Sequence, residues 1–125
     1  MRAKPSVESA PSDSVIVTKA TIRAAEKLNL KNKELARIIG VSEPTITRMK
    51  RGAYPLDPSQ KSFELALLFV RLYRSLDAVV GDNSVAAAWL NNKNTALDGT
   101  PIKLIQKIDG LINVIQYLDA RRAVI

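Results

Sequence analysis

Apolar residues recur at helical spacing from about residue 14 onward, and no stretch alternates convincingly in the manner of a strand. Ser14 to Leu28 reads as a first helix, with Val17, Ile22, Ala25 and Leu28 supplying an inward face before Asn29 and Leu30 end it. In the next segment, KELARII, Leu35, Ile38 and Ile39 share one face, and Ala36 leaves room for a close neighbour. Gly40 supplies the positive φ of a tight turn, Ser42 the side chain of an N-cap, and Pro44 a first-turn residue whose missing N–H is harmless. The helix that follows buries Ile46 and Met49 and is expected to leave Thr45, Thr47, Arg48, Lys50 and Arg51 outside. In RGAYPLDPSQ, Gly52, Pro55 and Pro58 then interrupt the pattern, and the interruption marks the best candidate for a domain boundary.

Beyond it, KSFELALLFVRLYRSLDAVVG predicts a long helix ending at Gly81. Lys61, Glu64, Arg71 and Ser75 fall on one narrow polar stripe, and apolar side chains fill most of the remaining circumference. A surface helix of a small domain needs only one apolar face. The excess implies a central helix or an oligomer interface, and both are expected, with Leu65, Phe69, Leu72 and Tyr73 as dimerisation residues. Asp82 to Asn91 forms a short helix carrying Trp89, NNKNTALDGTP is a polar connector, and Pro101 opens a further short helix, IKLIQKI. From Asp109 a last helix sets Leu111, Val114, Ile115 and Leu118 on one side. The expected fold class is all-α, an N-terminal helix-turn-helix bundle joined to a C-terminal helical domain, with no internal repeat.

Charge sharpens this division. The chain of 125 residues carries a net charge of +7, and the stretch from Lys19 to Arg51 holds nine basic and three acidic residues. From Lys61 to Ile125 there are eight basic and six acidic residues. The N-terminal half therefore suits an anionic partner, and the remainder something else. On the second helix of the turn motif, Arg48 and Arg51 are placed to contact bases or phosphates in a major groove, with Lys50 beside them. Ser42, Thr45 and Thr47 add hydroxyl groups. Glu43 can accept from a cytosine amine or simply favour the helix N-terminus. A packed inner face and an outer face of hydroxyls and cations is the construction of a recognition helix for double-stranded operator DNA.

Residues 1–14, rich in Pro, Ser and Ala, read as a flexible tail in which Arg2 and Lys4 allow contact with a minor groove. With no cysteine and no histidine, disulfides, Cys/His metal sites and Cys- or His-based nucleophile pairs are excluded. The twelve carboxylates are scattered over helical faces, and there is neither a glycine-rich phosphate loop nor a nucleophile elbow. No catalysis, metal or cofactor is expected. Without a signal peptide or an apolar run approaching the ~20 residues of a membrane span, a cytoplasmic protein is expected.

The runs KSFELALLFVRLYRSLDAVVG, AAAWLNNKNTALDGTPIKLI and DGLINVIQYLDARRA resemble the toxin-binding domain of Xre-type antitoxins, the MbcA/ParS/Xre group. The preceding ATIRAAEKLNLKNKELARIIGVSEPTITRMKRG looks like the Xre-like helix-turn-helix that accompanies it. The most specific parts are the Trp89-Leu90 pair, the Asn94, Leu97, Gly99 and Pro101 connector, and the Gly110, Tyr117 and Leu118 stretch. Lys93 stands where the family often has Pro, and Asp98-Gly99 where it has two glycines.

This resemblance implies a type II antitoxin that blocks a RES-domain toxin degrading NAD⁺ and represses its own operon as a homodimer. It implies a DNA-binding domain over 15–58 and a toxin-binding and dimerisation domain over 59–125. Trp89, Leu90 and Asn91 would contact the toxin. Taken alone, Trp89 reads first as a core anchor and the terminal ARRAVI as a frayed end. The resemblance instead places Arg121, Arg122, Ala123, Val124 and Ile125 at the mouth of the toxin's active site. The alternative is a stand-alone helix-turn-helix repressor whose C-terminal domain only dimerises.

Overall fold

The computed structural model describes residues 12–123. Among them are seven helices: α1 (Asp13–Lys27), α2 (Asn32–Ile39), α3 (Glu43–Lys50), α4 (Lys61–Val80), α5 (Asn83–Asn91), α6 (Pro101–Leu104) and α7 (Ile108–Ala123). The only extended pairing among these residues is an isolated bridge between Asn94 and Gly99, so the all-α expectation holds. The tail before Ser12, with Arg2 and Lys4, lies outside the described residues, as do Val124 and Ile125.

Several helix ends are fixed by local chemistry. Ser12 caps α1 by accepting from the Val15 N–H at 3.2 Å, and Asp82 caps α5 by accepting from the backbone of Ser84 and Val85. α4 closes on Gly81 at φ 70°, a left-handed conformation that glycine adopts without steric cost.

α4 is the central element and packs against α1, α2, α5 and α7. Ala66, Phe69, Leu72 and Leu76 have no exposed surface, which accounts for its apolar excess. Ser75 departs from the expected polar stripe: it too is wholly buried, facing α7, where its hydroxyl donates to Asp119 Oδ1 at 2.7 Å. Arg71 reaches the same carboxylate. A hydroxyl so satisfied can sit inside a helix interface at little cost.

The Gly52–Pro58 interruption is not an open hinge. Leu56 is fully buried, and its N–H donates to Thr18 Oγ1 at 2.8 Å while its carbonyl accepts from the Ser14 hydroxyl. Thr18 and Thr21 also bond back to the carbonyls of Ser14 and Val17, at 2.7 Å each. One apolar core then runs from Ile22 to Leu118, through the helix-turn-helix and the C-terminal helices alike.

The IKLIQKI segment is only partly helical: α6 ends at Leu104, and α7 begins at Ile108, one residue before the expected start. The two elements meet closely at Gly110, where a Cβ would lie 2.0 Å from the Leu104 carbonyl oxygen. No rotamer change can relieve a clash with backbone. Gly110→Ala is expected to destabilise the fold by about 2–3 kcal/mol or more through overpacking; an unchanged midpoint in thermal unfolding would contradict this packing.

Candidate nucleic-acid interface and C-terminal surface

The turn between α2 and α3 is built as its residues require. Gly40 sits at φ 75° and donates to the Ala36 carbonyl at 2.9 Å, and Val41 donates to the same carbonyl at 3.0 Å. At the other end of α2, Glu34 reaches back to the Lys31 N–H at 2.8 Å. Ser42 caps α3 by accepting from the Thr45 N–H at 3.2 Å, and Pro44 occupies the first turn. Leu35, Ala36, Ile38 and Ile39 of α2 and Ile46 and Met49 of α3 are buried, which fixes the orientation of the second helix.

Of the seven residues expected at a DNA surface, Ser42, Glu43, Arg48, Lys50 and Arg51 are exposed and Thr47 is half-buried. Thr45 is not outside: it is only 8% exposed. Its hydroxyl lies 2.9 Å from Ser42 Oγ and accepts from Arg48 Nη2 at 3.1 Å, so the polar group is satisfied locally and the methyl group can be buried. Glu43, Pro44, Thr47, Arg48 and Arg51 line one shallow concave surface together with Asn32 from the start of α2. Asn32 was legible only as the first residue of the motif, and its side-chain Oδ1 accepts from Lys50 Nζ at 2.5 Å. Tyr54, from the loop after α3, lies against the Arg48 guanidinium, 5.6 Å from ring centroid to Cζ.

A second surface gathers residues far apart in sequence. The rings of Trp89 and Tyr117 stack with centroids 6.3 Å apart and planes at 20°. Arg121 lies over the Tyr117 ring, its Cζ 5.6 Å from the centroid and its Nη1 donating to the Tyr117 hydroxyl at 3.4 Å. Trp89 is half-buried, Asn91 and Arg121 are exposed, and Tyr117, which the sequence offered only as part of the family resemblance, joins them here. Leu90 does not belong to this surface. It has no exposed area, because its side of α5 faces the core.

Arg122 and Ala123 are exposed, but the chain end is not frayed as far as Ala123. α7 continues through that residue, and Arg122 Nη1 donates to the buried Ser75 hydroxyl at 3.3 Å. Arg71 Nη2 meets Asp119 Oδ2 at 2.6 Å.

Of the four dimerisation residues expected on α4, the same packing corrects two. Phe69 and Leu72 have no exposed surface and are consumed by the chain's own core. Leu65 is half-buried beside Gly40. Tyr73 is half-buried, with Lys27 Nζ 5.7 Å from its ring centroid and its hydroxyl donating to Asn83 Oδ1 at 3.2 Å. The large exposed apolar side chains are others, among them Leu67 of α4 itself and Ile16, Val85, Ile108 and Ile112 on other helices.

Among the described residues no group of three or more acidic, His or Cys side chains could hold a metal, and no helix is long and apolar enough to cross a membrane. The Asp119 carboxyl is held below the ordinary carboxylate range, first by the Ser75 hydroxyl and then by Arg71, with the charge of Arg122 adding to both. Its folded form is thus stabilised as the carboxylate. That contribution is complete above an unfolded pKa of about 4 and is lost as pH falls through the lowered folded value. Asp119→Asn should remove up to about 1 kcal/mol at neutral pH and flatten the acid limb of the stability curve below about pH 4. Thermal midpoints that fall in parallel for both proteins would rule out this role.

Comparison with known proteins follows the same two-part division. The family model described as antitoxin Xre-like helix-turn-helix domain matches residues 13–71, and that of the antitoxin Xre/MbcA/ParS C-terminal toxin-binding domain matches residues 75–123. Among solved structures, a chain of the M. tuberculosis MbcT-MbcA toxin-antitoxin complex shares the fold with a TM-score of 0.68 at 19% identity, covering 88% of this chain and 96% of that one. No curated protein matches.

Proposed function

We propose, from the premise that this chain belongs to the Xre/MbcA/ParS antitoxins, that it sterically blocks a RES-domain, NAD⁺-degrading toxin and represses the operon encoding both proteins. The premise itself makes the chain an antitoxin with a helix-turn-helix and a toxin-binding domain, an inhibitor and regulator with no catalytic role of its own. The toxin's identity, the autoregulation and the residues involved are the proposal.

The observation that carries the toxin side is the Trp89–Tyr117–Arg121 stack, which joins α5 to the end of α7 within the stretch matched by the toxin-binding model. Aromatic and arginine side chains are the residues enriched where protein partners bind most strongly. α7 then delivers Arg121, Arg122 and Ala123 on a pre-formed helix toward the toxin's substrate entrance, with Val124 and Ile125 following them in the sequence. Pre-forming it lowers the ordering cost of docking.

On the DNA side, α3 enters the major groove, with Arg48, Lys50 and Arg51 supplying base and phosphate contacts and Ser42, Glu43 and Thr47 beside them. Two copies would present their α3 helices to half-sites about 34 Å apart. Since Phe69 and Leu72 are occupied, the apolar ground left for such pairing includes Ile16 and Leu67, which flank a groove between α1 and α4 and are 52% and 46% exposed. The antitoxin acts in the cytoplasm, where toxin, NAD⁺ and operon are all present.

Co-expression with the product of the adjacent reading frame, expected to be a RES-domain protein, tests the toxin reading. The two proteins should co-purify, NAD⁺ should be protected, and deletion of Arg121 to Ile125 should release NAD⁺ consumption while operator binding persists. Full protection by the truncated protein would remove the terminus from the mechanism, and a toxin that never co-purifies would leave a stand-alone repressor. For DNA, Arg48→Ala with Arg51→Ala should weaken operator binding by about 1–3 kcal/mol per lost specific contact, and added salt should weaken the wild type steeply. Gel-shift titration showing undiminished binding by the double variant would place another element in the groove.

A further inference from the structure

α3 carries Arg48 and Lys50 in its last turn, Arg51 follows as its C-cap, and the settings of the three cations differ. Arg51 is exposed, with no side-chain hydrogen bond or aromatic partner among the described residues. Lys50 is tied to Asn32 at the start of α2. Arg48 alone is gripped on two sides, by the buried Thr45 hydroxyl at 3.1 Å and by the Tyr54 ring at 5.6 Å.

The loop that delivers Tyr54 is itself pinned at both ends. On one side Gly52, at φ 75°, donates to the Met49 carbonyl at 3.0 Å, and Ala53 donates to the Arg48 carbonyl at 2.9 Å. Two residues after Tyr54, the Leu56 backbone is bonded to Ser14 and Thr18 of α1, and its side chain is buried. A residue that is 37% exposed is therefore presented by a fixed stretch of chain.

We infer that Tyr54 is a positioning residue for sequence readout, holding Arg48 with Thr45 in one conformation so that Arg48 reads a guanine in each half-site. The inference rests on the DNA-binding reading of α3. Thr45 takes only one of the five N–H donors of the guanidinium, and the remaining edge can bond guanine O6 and N7 together. Stacking on an aromatic face and fixing the rotamer beforehand remove much of the freedom that an arginine otherwise loses on binding. Lys50 and Arg51, outside this clamp, suit phosphate contacts, which orient the protein without reading sequence.

The test is selection from a pool of randomised DNA duplexes by the full-length protein and its variants. The wild type should enrich sites with one invariant G·C pair per half-site. Tyr54→Leu should lose the preference at that pair, bind the best site about five- to tenfold more weakly, and keep both its other preferences and its thermal midpoint. Tyr54→Phe, which keeps the ring, should restore the preference, and Thr45→Val should weaken it. Arg48→Lys should abolish the preference at the same pair. Selection by Tyr54→Leu identical to wild type would overturn the inference, as would an even loss at every position, which would make the loop merely structural. Retention of the pair by Arg48→Lys would remove Arg48 as its reader. A wild type that enriches nothing would instead overturn the DNA-binding reading beneath it.

Discussion

Phe69, Leu72 and Leu76 have no exposed surface because α4 is enclosed by α1, α2, α5 and α7, and the rest of the molecule depends on that enclosure. Burying large side chains on several sides of a twenty-residue helix supplies most of the apolar contact available to a chain this small. It also joins the helix-turn-helix to the C-terminal helices. Leu65 lies beside the Gly40 turn, and Ser75 and Arg71 hold Asp119 of α7. The helix-turn-helix and the surface proposed to meet the toxin are thus attached to one helix, with no flexible linker between them among the described residues.

Aromatic residues are scarce, and the three tyrosines share an unusual use. Tyr54, Tyr73 and Tyr117 each have a cation against the ring: Arg48, Lys27 and Arg121. The interior is filled instead by leucine, isoleucine and alanine, with Phe69 the one fully buried aromatic among the described residues. Rings at the rim of the core, with their faces toward cations, restrict long basic side chains that would otherwise sample many rotamers. Two of these pairs lie on the two surfaces proposed to bind partners. Both surfaces therefore combine positive charge with limited side-chain freedom, which favours specific recognition over general attraction to acidic molecules.

This arrangement also separates the roles of the polar residues. Ser75 would be costly in a helix interface without its acceptor, and Asp119 would be an ordinary exposed carboxylate without its donors. Together with Arg71 and Arg122 they tie the last turns of α7 to the centre of the protein. The same economy holds Thr45, whose hydroxyl is shared between the α3 cap and Arg48.

The amino-acid sequence by itself determined the helical class and the turn and cap positions at Gly40, Ser42 and Gly81, because these follow from local spacing and from residues acting on their own backbone. It also carried the family, through the order of motifs from Ala20 to Ala123, and it marked the cations of α3 correctly as exposed. It could not tell which apolar residues of α4 face outward, since a helix with apolar side chains around most of its circumference has no preferred side until its neighbours are in place. For that reason Phe69 and Leu72 were expected at an interface and lie in the core, while Leu90 of α5, Ser75 of α4 and Thr45 of α3 were expected at the surface and are buried by packing that their local spacing does not encode. Only the tertiary structure decided these positions, and only it brought Trp89, Tyr117 and Arg121 into one stack and Tyr54 to Arg48. Such contacts join separate elements, and their energies depend on distances that no local pattern encodes.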